Sequence, residues 1–227
     1  MGKTNLHQIL YAAISTIMLL ATIISCNGYK YLQLNQIEPG TLESRLSSKV
    51  SEVTDLRIEG ELGQKDVEYI EMLAAESDRL YSIDLENSNM QLKSRLFAGC
   101  STLKRVSLPK TSQELPAMLM SGCINLEEVK ISEECTYIGE NCFSKCTSLQ
   151  TITIPENVEK LDNKVFKDCT HLRTIRVTAQ TPPDCNKATF AGFDTDSCTL
   201  VVKKGCASKF RNSPGWENFG TIEEQKH

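Results

Sequence analysis

One apolar pattern recurs in this chain every 23 residues. Phe97, Cys100, Leu103, Val106 and Leu108 are followed by Met120, Cys123, Leu126, Val129 and Ile131. Phe143, Cys146, Leu149, Ile152 and Ile154 come next, then Phe166, Cys169, Leu172, Ile175 and Val177. A constant period of this length marks a solenoid. One unit cannot bury its apolar side alone, and the neighbouring coils supply the missing walls. Leu80, Ile83 and Leu85 fill the last three slots one period earlier, with Ala74 and Ser77 in the first two. The regular stack therefore runs from about residue 74 to residue 177.

Within each coil the segment L-x-x-[VI]-x-[IL] reads as a short strand with its last two apolar residues turned inward. A second apolar row, Leu92, Leu115, Ile138 and Leu161, repeats at the same interval and predicts another short extended segment on a different side of the coil. The part around Val165, Phe166 and Cys169 predicts a single helical turn. Pro109 and Pro155 directly follow strands, where a missing N–H ends ladder pairing.

The flanks depart from the period. Residues 41–48 suit a short helix, with Thr41 as cap, Glu43 in the first turn and Leu42 and Leu46 one turn apart. Residues 53–58 alternate as a strand ending at Gly60. From Asp66 a second helix places Val67, Ile70, Leu73 and Ala74 on one face. Beyond Val177 come a turn at residues 181–184, a final strand at 199–202, a short helix at 207–211, and bulk from Trp216 and Phe219. These ends read as caps, because the terminal coils of a stack lack a neighbour on one side.

Residues 9–24 form an apolar run of 16 after Lys3, with only Ser15, Thr16 and Thr22 as polar interruptions. The run is short for a membrane-spanning helix and reads as a signal-peptide core. It ends Ile23-Ile24-Ser25-Cys26, which resembles the bacterial lipoprotein signal, where the cysteine is acylated. Acylation of Cys26 implies a membrane as partner, with each buried methylene contributing about 0.8 kcal/mol. The expected organisation is a lipoprotein signal peptide at 1–25, a tether at 26–40, an N-terminal cap at 41–76, repeats at 77–180 and a C-terminal cap at 181–227.

Ten cysteines in an exported chain ordinarily suggest disulfides. Here Cys100, Cys123, Cys146 and Cys169 share one repeated slot, which predicts a buried ladder of free thiols acting as small hydrophobes. Cys135 and Cys142 also occupy apolar slots. Cys185, Cys198 and Cys206 lie outside the repeat, and any disulfide is expected among them. Cys135, Cys142 and Cys146 lack the paired spacing and nearby histidine of a zinc site, so no metal or other cofactor is expected. His171 falls in a variable slot and reads as a surface residue. No nucleophile elbow, phosphate loop or zinc-protease motif occurs, and no catalytic residue is assigned. A net charge of −4 argues against nucleic acid as a partner.

The segments Cys142-Phe143 to Pro155 and Val165-Phe166-Lys167-Asp168-Cys169-Thr170-His171-Leu172 resemble the BspA-type leucine-rich repeat, a treponemal and Bacteroides family with the pattern A/V-F-x-x-C-x-x-L-x-x-I-x-I-P. The tail is similar to the family's end module in LVVKKG, Trp216, Phe219 and Ile222. Met120 departs from the Phe slot, and no proline follows Ile131 or Val177. The resemblance implies a mainly β repeat solenoid, a right-handed leucine-rich-repeat-like stack with short helical turns, an N-terminal α/β cap and a C-terminal cap. It further implies an exported or cell-surface binding protein without an enzymatic site.

On the strands, the residues between inward anchors point outward: Ser82 and Asp84, Arg105 and Ser107, Glu128 and Lys130, Thr151 and Thr153, Thr174 and Arg176. Solenoids bind through such faces, although any solvated sheet face is polar. The expected function is a lipid-anchored binding or adhesion module of the cell envelope, at the outer membrane and facing either outward or the periplasm. Its ligand is a protein or glycan met by this face. The alternative is an envelope scaffold with no dedicated ligand.

Overall fold

The computed structural model describes residues 21–26 and 29–226. From the N-terminus, β1 (Ala21–Cys26) pairs antiparallel with β2 (Tyr29–Ile37), and β2 pairs parallel with β3 (Asp55–Glu61). Residues 1–20 of the expected leader lie outside the described residues, as does the side chain of Cys26, whereas the last five leader residues, 21–25, fall within β1 and pair with β2. The expected tether is corrected by β2. Leu32, Leu34 and Ile37 are at most 2% exposed, so this segment is a working strand of the cap. Its physical role is to cover β3, which otherwise presents an unpaired edge.

Two helices complete the N-terminal cap, α1 (Leu42–Leu46) and α2 (Gln64–Glu76). Helix α2 buries Val67, Ile70, Leu73 and Ala74, the face read from helical spacing. Asp66, 1% exposed, ties the two together. Its carboxylate accepts from the backbone N–H groups of Gly40 at 2.5 Å, Leu42 at 2.9 Å and Gly63 at 2.9 Å. It thus satisfies donors that the first turns of both helices leave free.

The repeats supply β4 (Ser82–Asp84), β6 (Arg105–Ser107), β8 (Glu128–Lys130), β10 (Thr151–Ile154) and β12 (Thr174–Val177). Their partners stand one coil apart, Ser82 beside Arg105, Arg105 beside Glu128, Thr151 beside Thr174. β5 (Ser88–Asn89) pairs with β3. The second apolar row forms β7 (Glu114–Leu115), β9 (Tyr137–Ile138) and β11 (Lys160–Leu161), a separate three-stranded sheet. Parallel stacking continues past the period into β13 (Thr199–Val202) and β14 (Thr221–Glu224). The strand at 199–202 is therefore not the last one. Between these two, α3 (Ala207–Arg211) lies against β14, with Arg211 Nη2 donating to the Ile222 carbonyl at 3.4 Å. No described helix is long and apolar enough to cross a membrane.

The expected helical turn around each Phe–Cys pair is corrected to two tight turns. Each turn is bent by a left-handed residue. Arg95, Met118, Asn141 and Lys164 have φ between 54° and 66°, two positions before the Phe slot. Two positions after it stand Gly99 (φ 77°), Gly122 (φ 81°), Lys145 (φ 60°), Asp168 (φ 60°) and Gly192 (φ 74°). A positive φ breaks any right-handed helix, and glycine adopts it without a Cβ clash. The turn stays compact because the Cys slot N–H returns to the Phe slot carbonyl, at 3.2 Å for both Cys100 and Cys123.

Inside, Phe143 stacks on Phe166 with centroids 6.0 Å apart, and Phe166 on Phe190 at 6.2 Å. Trp216 ends this column, edge-on to Phe190 at 5.2 Å, with its indole N–H on the Pro183 carbonyl at 2.8 Å. The nine described cysteines from Cys100 to Cys206 are all buried and free, including the three in the C-terminal cap.

Candidate binding face

Because successive side chains of a strand alternate between faces, burying Ile83, Val106, Val129, Ile152 and Ile175 turns their neighbours outward. Ser82, Asp84, Arg105, Ser107, Glu128, Lys130, Thr151, Thr153, Thr174 and Arg176 all emerge on one face, exposed or half-buried. The same face extends further than the period indicates. β2 and β3 add Tyr31, Gln33, Asp55 and Arg57, and β13 and β14 add Thr199, Val201, Thr221 and Glu223. Alternation in these strands was visible in the sequence. Their coil lengths hid the continuity: the register Leu32–Leu56–Ile83 steps by 24 and 27 residues, and Ile175–Leu200–Ile222 by 25 and 22.

The first half of the face is charged and internally paired. Arg105 Nη2 reaches back across β4 to Asp55 Oδ1 at 3.0 Å, and Lys130 Nζ reaches Glu86 Oε1 at 2.7 Å. Arg57 Nε lies 2.9 Å from Glu59 Oε1 and 3.6 Å from Asp84 Oδ2. The hydrogen bond from Lys130 holds the Glu86 carboxyl below its usual range. Partial burial works against the Arg57 charge, but the Asp84 and Glu59 carboxylates outweigh it and hold its pKa above the usual value. Such exposed pairs contribute about 0.2–1 kcal/mol each. A shallow depression of about 260 Å³ lies over these residues.

The second half is hydroxylated. Thr151, Thr174, Thr199 and Thr221 stand in strict cross-strand register as one row. The row beside it reads Thr153, Arg176, Val201 and Glu223. Arg176 has no carboxylate partner among the described ion pairs.

The two halves meet at a seam. The seven-stranded sheet ends at β8 and the four-stranded sheet begins at β10. Glu127 and Glu128 donate to Lys104 O at 2.8 and 3.0 Å, and Arg173 and Thr174 donate to Gln150 O at 2.9 and 3.1 Å. The equivalent bonds from Gln150 and Thr151 to Glu127 O are absent, and no described backbone bond joins 127–131 to 150–154. The cleft over this seam holds about 530 Å³.

The cysteines considered for zinc, Cys135, Cys142 and Cys146, are buried in the repeat, and burial pushes all three thiols up in pKa. His171 is exposed, with Nδ1 at 2.6 Å from the Thr147 carbonyl of the preceding coil.

This coil geometry matches a known sequence model. The model of the BspA type leucine rich repeat region matches residues 68–193 in six copies. The chain belongs to the BspA-type leucine-rich repeat family. Among solved structures, the chain is similar to a leucine-rich repeat protein from Bacteroides ovatus ATCC 8483, at 24% identity and a TM-score of 0.50, covering 78% of this chain and 44% of that one. It is also similar to the pneumococcal vaccine antigen PcpA, at 14% identity and a TM-score of 0.49, covering 91% of this chain and 48% of that one. The T. pallidum leucine-rich repeat protein TpLRR matches at 15% identity and a TM-score of 0.37, over 89% of this chain and 78% of that one. The chain thus spans less than half the length of the first two. No curated protein matches. Against the BspA-type pattern, Met120 keeps the Phe slot fully buried, so the departure changes only how the core is filled.

Proposed function

We propose that this BspA-type protein is a lipid-anchored binding module of the cell envelope, held at the membrane through acylated Cys26 and engaging a protein or glycan with its sheet face. The observation that carries the reading is the length of that face. Nine parallel strands among the described residues, β2 to β14, align on one side of the molecule. A scaffold needs stacked cores but has no need of two chemically distinct halves. An enzymatic reading has little support, because the strongest pKa perturbations fall on thiols inside the core. Proteins of this family are typically surface or envelope proteins, which favours the same location.

The test joins anchoring to binding. Labelled fatty acid should enter the wild-type protein and not Cys26→Ala. Protease treatment of intact cells should remove the domain. Arg105→Glu, Lys130→Glu and Arg176→Glu together should abolish retention on extracellular-matrix preparations while the circular dichroism spectrum is unchanged. Unchanged retention with the fold intact favours the scaffold reading.

A further inference from the structure

The outer edge of β2 changes when the leader is cut. Both backbone groups of Lys30 face β3: its N–H donates to Thr54 Oγ1 at 2.9 Å, and its carbonyl accepts from the Thr54 N–H at 3.0 Å. Alternation turns the backbone groups of Leu32 and Leu34 the same way and those of Tyr31 and Gln33 to the opposite edge. That edge is where β1 pairs, antiparallel, from Ala21 beside Leu34 to Cys26 beside Tyr29. Five of these six pairs use residues 21–25, which a cut before Cys26 removes. Only Asn27 and Gly28 then stand between acylated Cys26 and β2. The N–H and C=O groups of Tyr31 and Gln33 lose their partners.

A bare edge is a template for another strand, and nothing in β2 blunts it. Tyr29 to Leu34 has no proline and no left-handed residue, and the first irregularity falls at Gln36 (φ 53°). The one charge in the strand, Lys30, is paired with Glu52. The direction of the guest is set by β1, which shows that this edge takes an antiparallel strand. Two copies of one edge related by a two-fold axis meet antiparallel by symmetry. The strand is also self-complementary about Gln33. An axis there sets Leu32 opposite Leu34, both turned to the core. It sets Tyr31 opposite Asn35 on the outer face, and Lys30 opposite Gln36, so no like charges meet.

We propose that processing at Cys26 uncovers the β2 edge and that two mature copies pair through it, antiparallel about Gln33, into one continuous sheet. The uncut leader, held as β1, keeps the precursor single. Residues directly opposite in an antiparallel pair carry their side chains on the same face, so the two outer faces join on one side of the dimer. Anchoring in a shared membrane raises the effective concentration of the two edges. The proposal rests on the anchored reading of Cys26 and adds a second copy of this chain as partner.

Wild-type protein and the uncut Cys26→Ala chain, both purified from membranes in detergent, test it. Mass spectrometry reads their N-termini and ultracentrifugation their assembly state. Processed wild type should be a dimer and the uncut chain a monomer. Gln33→Lys and Gln33→Glu each set like charges face to face. Each should weaken dimerisation about fivefold, and mixing the two should restore it. The nine described cysteines from Cys100 to Cys206 are buried, so the thiol of Gln33→Cys should form a disulfide between two processed copies, whose facing Cα atoms stand about 5.5 Å apart. A processed chain that stays monomeric, an uncut chain that dimerises equally, or a mixture no tighter than either charge variant overturns the proposal. So does a ladder of longer oligomers, the mark of β2 pairing with β14 of the next copy. If the wild type keeps residues 21–25, the anchored reading itself fails and takes this inference with it. Processed protein that does not pair sinks this inference alone and leaves that reading standing.

Discussion

Cys169 donates its thiol hydrogen to the carbonyl oxygen of Phe143, 26 residues earlier and 3.0 Å away. Cys146 does the same to Met120 at 3.3 Å, and Cys123 to Phe97 at 2.9 Å. The repeated cysteine is therefore more than a small hydrophobe. It ties each coil to the turn of the coil before it, on a carbonyl that already accepts the Cys-slot N–H of its own coil. Sulfur is a weak donor, but the contact is made at three successive steps of the stack.

Buried, hydrogen-bonded thiols make stability fall at high pH. Burial pushes the thiols of Cys100, Cys169 and Cys185 up to about 12, and those of Cys135 and Cys198 up to about 11. The unfolded chain releases these protons near pH 8.5, while the folded chain retains them. The folded state then binds more protons, so stability is full below about pH 8.5 and declines as pH rises toward the folded values. Urea midpoints at pH 7, 9 and 10 should fall progressively. A thiol reagent at pH 8 should react slowly with native protein and report all nine thiols from Cys100 to Cys206 on unfolding without reductant. A flat pH profile, or two or fewer thiols, contradicts the ladder.

A second prediction concerns the left-handed slot after each Phe. Lys145 holds φ 60° where the equivalent residues Gly99 and Gly122 hold 77° and 81°. A side chain there costs about 1–2 kcal/mol of backbone strain, partly offset because glycine makes the unfolded chain more flexible. Lys145→Gly should therefore stabilise the protein by about 0.5 kcal/mol. Gly99→Ala should destabilise it by about 1 kcal/mol through backbone conformation alone, because nothing lies within 4 Å of the added Cβ. Chemical denaturation of both variants checks the pair of opposite signs. Equal signs would mean that the slot is not governed by φ.

The fold was legible in the sequence wherever the period held. Phe143, Cys146, Leu149, Ile152 and Ile154 could each be placed from their spacing alone, and the outward Thr151 and Thr153 followed from alternation. Legibility failed where the cause was not periodic. Tyr29–Ile37 looked like a tether because its coil has an irregular length and follows an apolar leader, yet Leu32 and Leu34 are needed to cover β3. The turn around Phe166 looked helical because spacing does not reveal the sign of φ at Lys164 and Asp168. The seam at Val129 was invisible, since its residues obey the same period as coils that pair normally. Whether two adjacent strands close is set by the geometry of the whole coil, and no local pattern encodes it.

The end of the aromatic column gives the third prediction. Trp216 is fully buried, edge-on to Phe190 at 5.2 Å and Phe210 at 5.3 Å, and stacked beside Phe219 at 6.0 Å. It closes the last core layer among the described residues. Trp216→Ala should destabilise by about 3–5 kcal/mol, as large aromatic truncations in cores do. Trp216→Phe should lose less, about 1–2 kcal/mol, because it refills part of the volume but leaves the Pro183 carbonyl without its indole donor. The loss should also be local at first, because each coil of a solenoid is stabilised by its nearest neighbours. Hydrogen exchange of Trp216→Ala should show β13 and β14 deprotected while β4 and β6 keep wild-type protection. Uniform loss across all strands would show that the stack unfolds as one unit and that Trp216 is not a cap.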